Sequence, residues 1–383
     1  MVERANIVIV GAGINGCCTA YNLAKLGAND VVVVEKEKFI AAGSTGLSAS
    51  GIRQQFGTEI NIKISMESVR ILERFEEEMG HPSGFIQAGY LFLITSPEQK
   101  KVFDQTVALQ KSLGVDVDFI TKEEIARKYP FLKMDDVLCG TFCPTDGYAD
   151  PHSITQGYYK KAKELGVKFL FETEVTKILT KDNKIEGVVT DKGEIKTEMV
   201  INAAGPYAQE VGRMVGVEIP ALPIRRQIYV SNDFEEIPEG IPMIIDSGCG
   251  LYFRKEGKGV LFGLAKKDEP PGFNLTVDQE WFEYVAERMM ERVPSFEKAS
   301  ILKSWAGLYS VTPDHHAIIG EIPPISGFYM IGGFSGHGVM HSMASGKLLA
   351  EKIMGKESEI DISPLSIKRF EGGGKGIEEP QVL

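Results

Sequence analysis

The sequence has few cysteines, no excess of positive charge and no long apolar run. Five cysteines in 383 residues, two of them adjacent at Cys17 and Cys18, are too few for a disulfide framework. Acidic residues outnumber basic ones 53 to 42, giving a net charge of −11 that argues against a general nucleic-acid binder. No apolar stretch reaches the roughly 18 residues that a transmembrane helix needs.

What is present indicates a globular enzyme. Hydrophobic residues make up 43 % of the chain and charged residues 25 %, enough apolar material for a core and too little charge bias for disorder. The length predicts about two domains, because single cores stop growing near roughly 250–300 residues. A strand begins by Ala5, which leaves no room for a signal peptide. We therefore expect a cytoplasmic α/β enzyme.

The N-terminal segment predicts a strand, a helix and a second strand. Residues 5–10 are a continuous apolar run, typical of a parallel strand buried on both faces. A helix is predicted from Cys17 to Leu26, and residues 31–34 form a second buried strand. The motif Gly11-x-Gly13-x-x-Gly16 joins the first strand to the helix.

This motif has the spacing of a dinucleotide-binding turn. Gly11 allows the tight turn, Gly13 lets the backbone approach a pyrophosphate, and Gly16 lets helix and strand pack closely. The N-terminus of the helix attracts the phosphates. Glu35 ends the second strand, where its carboxylate would accept the hydroxyls of an adenine ribose and repel the extra phosphate of NADP. Such turns also arise from packing alone, and the motif does not identify the dinucleotide.

Beyond residue 35, parallel and antiparallel segments alternate. Met199–Asn202 and Gly327–Gly333 are predicted to be buried strands, whereas alternating strands between about Pro220 and Val311 indicate an antiparallel sheet. Glu59–Met79 is predicted to be one long amphipathic helix. Glu371–Leu383 is rich in glycine and glutamate and is expected to be a frayed tail.

These segments predict two domains, each assembled from discontinuous pieces. The expected boundaries are 1–84, 145–216 and 322–365 for the nucleotide-binding domain, 85–144 and 217–321 for the substrate domain, and 366–383 for the tail.

Two further segments are candidates for cofactor contact. Residues 43–51 are small and polar, a composition that by itself favours a flexible surface loop but that also suits a loop lying on a cofactor. Arg53 follows in a stretch with little charge, where it is either a solvated surface charge or a carboxylate clamp. Residues 332–338 form a second glycine-rich turn before a helix, whose N-terminus would stabilise a group that becomes anionic.

Metal binding is not predicted. His315-His316 and Cys139-x-x-x-Cys143 lack a recognised ligand spacing with further ligands. Packing and surface roles are expected for these residues.

Five motifs together resemble the D-amino-acid-oxidase-like flavoproteins. They are GAGINGCC, VVVVE, GSTGLSASGIRQQ, VINAAGP and GGFSGHGVM, and the resemblance covers almost the whole chain in the same order. More narrowly, the chain resembles the sarcosine oxidase and dimethylglycine dehydrogenase branch. It is similar to the β subunits of archaeal dye-linked L-proline dehydrogenases and of heterotetrameric sarcosine oxidases. The resemblance implies an α/β (α+β) fold with a Rossmann-like FAD-binding domain (GR2-type) and an antiparallel-sheet substrate domain.

The resemblance also implies which residues contact FAD and substrate. Arg53 falls where the sarcosine oxidase branch binds the substrate carboxylate, and Tyr252 and His337 are the other expected catalytic residues. The expected cofactor contacts are Gly11, Gly13, Ile14, Asn15, Gly16, Glu35, Lys36, Gly43, Ser44, Thr45, Ser48, Ala49, Ser50, Gly51, Val175, Ala203, Ala204, Gly205, Gly333, Phe334, Ser335, Gly336, His337, Gly338, Val339 and Met340.

Departures from that branch indicate a dehydrogenase. Residues 306–309 contain no cysteine where monomeric sarcosine oxidase attaches its flavin, so noncovalent FAD is expected. Leu261 and Met340 stand where the oxidases have lysines, which disfavours oxygen as acceptor. The resemblance supplies another acceptor, a different α subunit with FMN at the interface. The histidine that holds FMN covalently in heterotetrameric sarcosine oxidase falls near His152 but one position off, so covalent FMN is not expected.

The sequence therefore predicts an FAD-dependent dehydrogenase that oxidises L-proline or a similar secondary amino acid to an imine. Three alternatives remain. They are an oxygen-using oxidase of sarcosine or another N-methyl amino acid, an NAD-dependent dehydrogenase, and a subunit that binds FAD without catalysis.

Overall fold

A computed structural model describes residues 2–374 and 376–381 of the chain. The strands in this part of the chain form four sheets. In chain order they are β1 (Ile7–Val10), β2 (Val31–Val34), β3 (Gly51–Ile52), β4 (Tyr90–Ile94), β5 (Asp118–Thr121), β6 (Cys139–Cys143), β7 (Gly147–Tyr148), β8 (Lys168–Leu170), β9 (Val175–Lys181), β10 (Lys184–Thr190), β11 (Gly193–Lys196), β12 (Val200–Asn202), β13 (Leu222–Ser231), β14 (Met243–Asp246), β15 (Leu251–Glu256), β16 (Gly259–Gly263), β17 (Ile301–Val311), β18 (Ile318–Glu321) and β19 (Phe328–Gly332).

The α-helices cover the sheets and connect them. In chain order they are α1 (Ile14–Lys25), α2 (Glu59–Glu73), α3 (Phe75–Met79), α4 (Pro97–Ser112), α5 (Lys122–Lys128), α6 (Pro151–Glu164), α7 (Ala208–Arg213), α8 (Gln279–Arg292) and α9 (Gly338–Ile353). Among the described residues, no helix combines the length and the apolar character needed to cross a membrane.

A six-stranded sheet places the two glycine-rich turns at the same edge, with the end of β12 between them. Its strand order is β18-β19-β12-β1-β2-β8, with β1 parallel to β2 and β12, and β12 parallel to β19. Ile7 and Ile9 point into one apolar core, and Val8 and Val10 into another. The first core includes residues of α1 and α9, and the second includes residues of the three-stranded sheet β11-β10-β9. Burial on both faces explains the uninterrupted apolar run of β1.

An eight-stranded sheet forms the second large layer. Its order is β17-β13-β16-β15-β14-β4-β6-β5, and most neighbouring strands are antiparallel, as the sequence predicts. The exception is β4, which lies parallel to β14. The longest pairing in this sheet joins β13 to β17 from Leu222 to Ser231, which is the whole of β13.

The expected single helix over Glu59–Met79 is wrong in one respect. Two helices, α2 and α3, meet at Arg74, whose φ of −109° and ψ of 9° are not helical. The break turns Phe75 and Met79 into the core against α6, where Phe75 packs on Tyr158 with ring centroids 5.4 Å apart. The side chain of Phe75 also leaves no room for a Cβ at Gly157.

The expected frayed tail is wrong for residues 376–381, which we call the C-terminal segment. Glu379 and Gln381 are only 1 % and 7 % exposed. The Glu379 carboxylate accepts hydrogen bonds from the Gly57 N–H at 2.7 Å and the Thr58 hydroxyl at 2.6 Å, which ties the segment to the start of α2. Residues 375, 382 and 383 of the expected tail lie outside the described residues.

The two large sheets draw on different parts of the chain. Strands of the six-stranded sheet come from residues 7–34, 168–202 and 318–332, and strands of the eight-stranded sheet from residues 90–143 and 222–311. The domain boundaries stated from the sequence stay a prediction.

Candidate active site

The turn between β1 and α1 is built so that only glycine fits at its ends. Gly11 has a φ of +108°, and a Cβ there would lie 2.7 Å from the carbonyl oxygen of Ala203. A Cβ at Gly16 would lie 2.0 Å from the carbonyl oxygen of Gly11. These contacts bring α1 close to β1 and to the end of β12, so the N-terminus of the helix lies at the carboxyl ends of the parallel strands. Such a terminus is a site for an anion.

The start of α1 has polar groups without protein partners. Its N-cap residue, Gly13, has no side chain to cap the helix, and the first turn contains no acidic residue. The N–H of Ile14 donates to the hydroxyl of Thr45 at 3.2 Å. The side-chain oxygen of Asn15 is buried and has no hydrogen-bond partner among the described residues. Unpaired polar groups at a glycine turn fit the pyrophosphate and polar edge of a dinucleotide.

Glu35 lies beside this turn and is already bonded to it. One carboxylate oxygen accepts a hydrogen bond from the Ala12 N–H at 2.7 Å, and the other from the Glu37 N–H at 2.9 Å. Each oxygen can accept further bonds, so the carboxylate both fixes the turn and keeps acceptor capacity for ribose hydroxyls.

The loop of residues 43–51 packs between the β1–α1 turn and the eight-stranded sheet. The Ser44 hydroxyl donates to the Leu308 carbonyl at 2.6 Å, and the Trp305 indole donates to the Leu47 carbonyl at 3.0 Å. The imidazole of His152 packs so close to Gly46 that a Cβ there would lie 2.7 Å from it. The loop is therefore fixed against β17 and α6, and is not a free surface loop.

The second glycine-rich turn packs against β17. Gly333 and Gly336 have φ values of +71° and +102°. A Cβ at Gly336 would lie 2.5 Å from the ring of Tyr309, and one at Gly333 would lie 2.7 Å from the methyl of Thr312. The turn therefore approaches the eight-stranded sheet as closely as backbone can, just before α9 begins at Gly338.

A cavity of about 350 Å³ lies between the two turns, the loop and the eight-stranded sheet. Most of the expected cofactor-contacting residues line it. They are Gly11, Gly13, Ile14, Asn15, Glu35, Lys36, Gly43, Ser44, Thr45, Ser48, Ala49, Val175, Ala203, Ala204, Gly205, Gly333, Phe334, Ser335, Gly336, Gly338 and Val339.

Five expected cofactor contacts do not line the cavity. They are Gly16, Ser50, Gly51, His337 and Met340. Gly16 faces Gly11, and Gly51 faces the hydroxyl of Tyr90, so packing accounts for these two glycines.

The sheet side of the cavity contains residues that the sequence analysis missed. Tyr252 lines the cavity, and Arg226, Ile228 and Tyr309 line it beside Tyr252. The guanidinium of Arg226 lies 5.2 Å from the centre of the Tyr309 ring. Alternation along β13 could have indicated Arg226, because it shares a strand face with the apolar Ile228.

Arg53 is buried beside the cavity instead of lining it. It is 1 % exposed, and its guanidinium lies 3.9 Å from the centre of the Phe56 ring. One terminal nitrogen donates to the Gln55 carbonyl, and the other donates to the Gln381 carbonyl at 2.7 Å. Burial lowers the pKa of Arg53. Arg53 is thus not a solvated surface charge, and in this conformation it holds the C-terminal segment.

Two buried histidines lie next to Arg53. His337 packs edge-on against Phe56 at 4.8 Å, and the imidazole of His341 is 2.8 Å from the Ser65 hydroxyl. Burial and then Arg53 lower the pKa of His337 well below its usual range, and the same two causes lower that of His341 to about 3. Both imidazoles are therefore neutral at physiological pH, which suits His337 to hydrogen bonding or packing.

Asp146 is a buried carboxylate near Arg53 that the sequence analysis did not single out. It accepts hydrogen bonds from the Gln54 N–H at 2.8 Å and from the Gln55 side chain at 3.2 Å. Burial raises its pKa from 3.8 to about 6, against the lowering effect of these hydrogen bonds. Among the described residues, no group of three or more His, Cys, Asp or Glu side chains is arranged to bind a metal ion.

The comparisons with known proteins agree with this geometry. Residues 6–352 match the family model DAO, FAD dependent oxidoreductase. The chain is 32 % identical to mitochondrial dimethylglycine dehydrogenase of Rattus norvegicus and 30 % identical to mitochondrial sarcosine dehydrogenase of Homo sapiens. Each alignment covers 96 % of this chain, but only 45 % and 42 % of those proteins. The chain thus spans less than half the length of these relatives.

A solved structure covers the whole fold. The crystal structure of L-proline dehydrogenase from P. horikoshii superposes with a TM-score of 0.92 at 36 % sequence identity. The match covers 98 % of this chain and 100 % of that one. With the family model matched over most of its length, the chain belongs to the DAO family of FAD-dependent oxidoreductases.

Proposed function

We propose that this protein is an FAD-dependent dehydrogenase that oxidises a secondary amino acid, L-proline first, to the corresponding imine. The observation that carries the proposal is the cavity itself. It joins two glycine-rich turns suited to a dinucleotide to a sheet face that presents Arg226, Tyr252 and Tyr309. The similarity to L-proline dehydrogenase from P. horikoshii supports proline as the first substrate to test.

The chain's own residues would bind and orient the cofactor. Gly11 and Gly13 would let the backbone approach the pyrophosphate, and Glu35 would accept hydrogen bonds from the ribose hydroxyls while it fixes the turn. When bound, FAD would supply a hydride acceptor, so that the carbon beside the amine nitrogen would lose a hydride and the C–N bond would become the C=N bond of an iminium. The iminium would then lose its N–H proton to water to give the imine. No cysteine lines the cavity within the described residues, which supports noncovalent binding.

Arg53 is the proposed carboxylate-binding residue, and its effect on rate would come mainly from orientation. Its positive charge is buried beside the cavity. There it opposes the rise that burial causes in the pKa of Tyr309, a residue that lines the cavity. Two of the five N–H groups of Arg53 donate to the Gln55 and Gln381 carbonyls, so a substrate carboxylate would bind the remaining N–H groups. No residue has to act as a base, since an amine that enters neutral already has the lone pair that expels the hydride. Tyr252 and the neutral His337 would shape the pocket.

Oxidation of N-methyl amino acids is the second candidate function. The similarity to dimethylglycine and sarcosine dehydrogenases supports it. In either case we propose that electrons leave through a different α subunit, with FMN as a second flavin at the interface.

A cytoplasmic location also stays a prediction.

An anaerobic substrate panel tests the proposal. The purified protein is mixed without oxygen with L-proline, D-proline, sarcosine, dimethylglycine or glycine, and loss of the visible flavin absorbance is followed. We expect L-proline to bleach the flavin fastest. Faster bleaching by sarcosine or dimethylglycine would favour the second function, and no bleaching by any of them would favour a subunit that binds FAD without catalysis. Acid precipitation of the same sample should leave all the flavin in the supernatant.

A further inference from the structure

The C-terminal segment is docked by one buried carboxylate. One oxygen of Glu379 accepts a hydrogen bond from the Gly57 N–H at 2.7 Å, and the other accepts from the Thr58 hydroxyl at 2.6 Å. The first oxygen also accepts from the N–H of Gln381 at 3.1 Å. The same carboxylate thus ties the segment to the start of α2 and fixes the backbone of Gln381.

The side chain of Gln381 is held as well. Its amide nitrogen donates to the Thr106 hydroxyl at 2.9 Å, and its oxygen accepts from the Gln110 side chain at 3.4 Å. Both partners belong to α4, where residues four apart lie on one face. A buried polar side chain with partners for its donor and its acceptor has a defined position. The carbonyl that Gln381 presents to Arg53 is therefore fixed by two helices.

The fit between the segment and α2 depends on glycine at position 57. A Cβ at Gly57 would lie 2.3 Å from a ring carbon of Pro380. The φ of Gly57 lies outside the left-handed region, so a side chain there would meet crowding and no backbone strain. A substitution at this glycine therefore disturbs the docking without changing the segment or Arg53.

Arg53 is oriented by neutral groups. Its terminal nitrogens donate to the carbonyls of Gln55 and Gln381, which leaves three of its five N–H groups. Carbonyls fix the guanidinium without cancelling its charge, as a carboxylate partner would. The Gln55 carbonyl is only two residues away and moves with Arg53, whereas Gln381 is 328 positions away. The bond to Gln381 is thus the one that ties the guanidinium to a distant part of the chain.

We propose that Glu379 is a positioning residue, which docks the C-terminal segment so that the Gln381 carbonyl holds the Arg53 guanidinium ready for the substrate carboxylate. The inference rests on the proposed function for the role of Arg53. Loss of docking leaves the charge of Arg53 in place but removes its fixed orientation. Binding of a carboxylate is then weakened and not abolished, because the ligand has to order the guanidinium itself.

The test is a double-mutant cycle on the binding of a carboxylate that cannot be oxidised at nitrogen. Tetrahydrofuran-2-carboxylate has an oxygen where proline has its N–H, and the change in flavin absorbance gives its Kd for the oxidised holoenzyme. We expect Glu379→Ala to raise this Kd about twofold to tenfold, which is what one net hydrogen bond contributes. Arg53→Ala should raise it about tenfold to a hundredfold, because the charge itself is lost. Glu379→Ala added to Arg53→Ala should raise it no further, since the segment acts through the guanidinium.

Two further variants change the docking in opposite directions. Gly57→Ala should raise the Kd as Glu379→Ala does, because the new Cβ displaces Pro380. Glu379→Gln keeps one oxygen as acceptor for the Gly57 and Gln381 N–H groups, and should restore most of the affinity. If Glu379→Ala does not fold, Gly57→Ala takes its place in the cycle.

Matched controls come from exposed or open positions. Glu378→Ala removes an exposed carboxylate next to Glu379, and Gly272→Ala adds a Cβ that has nothing within 4 Å. Both should leave the Kd unchanged. FAD content should be the same in all variants, because no described residue of the C-terminal segment lines the cofactor cavity.

Kinetics separate positioning from stability. L-prolinamide lacks the carboxylate, so Glu379→Ala should lower kcat/KM for L-proline, mainly through KM, and leave kcat/KM for L-prolinamide unchanged. A lowered melting temperature is expected from either role and does not distinguish them. An unchanged Kd in Glu379→Ala and Gly57→Ala would overturn the proposal. Additive effects in the cycle, or equal losses on L-proline and L-prolinamide, would also overturn it and make Glu379 a purely stabilising residue.

The outcome is separable from that of the proposed function. If no amino acid reduces the flavin but the furan carboxylate binds and the cycle is non-additive, the proposed dehydrogenase fails and the positioning role stands. If L-proline reduces the flavin but the wild type does not bind the carboxylate, or Arg53→Ala binds it equally well, the positioning role fails and the dehydrogenase stands.

Discussion

The guanidinium of Arg53 donates a hydrogen bond of 2.7 Å to the backbone carbonyl of Gln381, 328 positions further along the chain. This contact places the C-terminal segment next to the residue expected to bind substrate. It also means that Arg53 has a structural task whatever its part in catalysis. A substitution at Arg53 therefore has to be read by two measurements, one of substrate binding and one of stability.

We expect Arg53→Ala to lower kcat/KM for L-proline by about tenfold to a hundredfold. A charge-assisted bond to a carboxylate is worth roughly 1.5–3 kcal/mol, which corresponds to that range. FAD content should stay normal, because Arg53 does not line the cofactor cavity. The melting temperature should fall as well, since the Gln55 and Gln381 carbonyls lose their donor.

Arg53→Lys separates the two effects, because it keeps a buried charge but cannot bond both carbonyls in the same geometry. If Arg53→Ala and Arg53→Lys both have wild-type kinetics on L-proline and a lowered melting temperature, Arg53 is a purely structural residue. The exposed Arg213→Ala is the control for loss of positive charge.

We expect Glu379→Ala to lower the free energy of unfolding by about 1.5–3 kcal/mol. The buried carboxylate accepts from the Gly57 N–H, the Thr58 hydroxyl and the Asn61 side chain, at 2.7, 2.6 and 2.9 Å. Its removal leaves these donors at the start of α2 without an acceptor. Urea unfolding of the FAD-bound protein measures the change. Glu378→Ala, at the exposed neighbour, should have almost no effect, and equal effects of the two substitutions would show that the segment is not docked in solution.

The first strand, turn and helix could be predicted from sequence because their signals are local. The three glycines, the apolar runs and Glu35 all lie within the first 35 residues. Each of these signals determines the conformation or burial of residues adjacent to it in the chain. The strand β17 was not predicted, because its exposed first half, Ile301 to Ser304, has no clear alternation of burial. Its position is determined by pairing with β13, about 80 residues earlier, over nearly its whole length.

The site, like the fold, could be predicted from sequence only where its signals are local. Backbone-contacting glycines are recognisable in a sequence, and most of them line the cavity. The environments of Arg53, Arg226 and Asp146 depend on which distant segments pack on them. Arg53 is buried by the C-terminal segment, whose composition suggested a frayed end. Alternation along β13 places Arg225 and Arg226 on opposite faces, but the segments packed on each face decide that Arg226 lines the cavity and that Arg225 binds Glu269.

We expect Glu35→Ala to weaken FAD retention before it affects catalysis. The substitution removes the proposed ribose acceptor and leaves the N–H groups of Ala12 and Glu37 without their carboxylate partner. An affinity loss of about tenfold to a hundredfold follows from roughly 1.5–3 kcal/mol. FAD per chain after dialysis measures it, with Glu37→Ala as control, since only the backbone of Glu37 bonds to Glu35. Full FAD occupancy of Glu35→Ala after dialysis would count against the ribose assignment.

We expect the buried Asp146 to make the protein less stable as the pH rises from about 4 to 6. Its pKa is raised in the folded protein from 3.8 to about 6 by burial, so folding favours the protonated form. The stabilising effect of protonation is fully present below the unfolded pKa and is lost as the pH rises through about 6. The difference is roughly 3 kcal/mol.

Asp146→Asn cannot titrate and should lack this part of the pH dependence. The free energy of unfolding in urea is measured at several pH values for the wild type and the variant. The difference between the two isolates the effect of Asp146 from that of other carboxylates. That difference should change by most of this roughly 3 kcal/mol between pH 4 and 6 for Asp146→Asn. Asp116→Asn, at an exposed aspartate, is the control for loss of a carboxylate. A flat difference for Asp146→Asn would show that the carboxylate ionises in the folded protein at its ordinary pKa.

We expect the isolated chain to reduce an artificial dye much faster than it reduces oxygen. Leu261 and Met340, which the resemblance places where the oxidases have lysines, are buried and apolar. Reduction of oxygen by a flavin passes through superoxide, and a nearby positive charge lowers the barrier by stabilising it. Oxygen consumption should therefore be a small fraction of dye reduction at equal substrate, and Met340→Lys should raise that fraction, with Met340→Leu as the uncharged control. Oxygen consumption equal to dye reduction in the wild type would contradict both the dehydrogenase assignment and the need for a partner subunit.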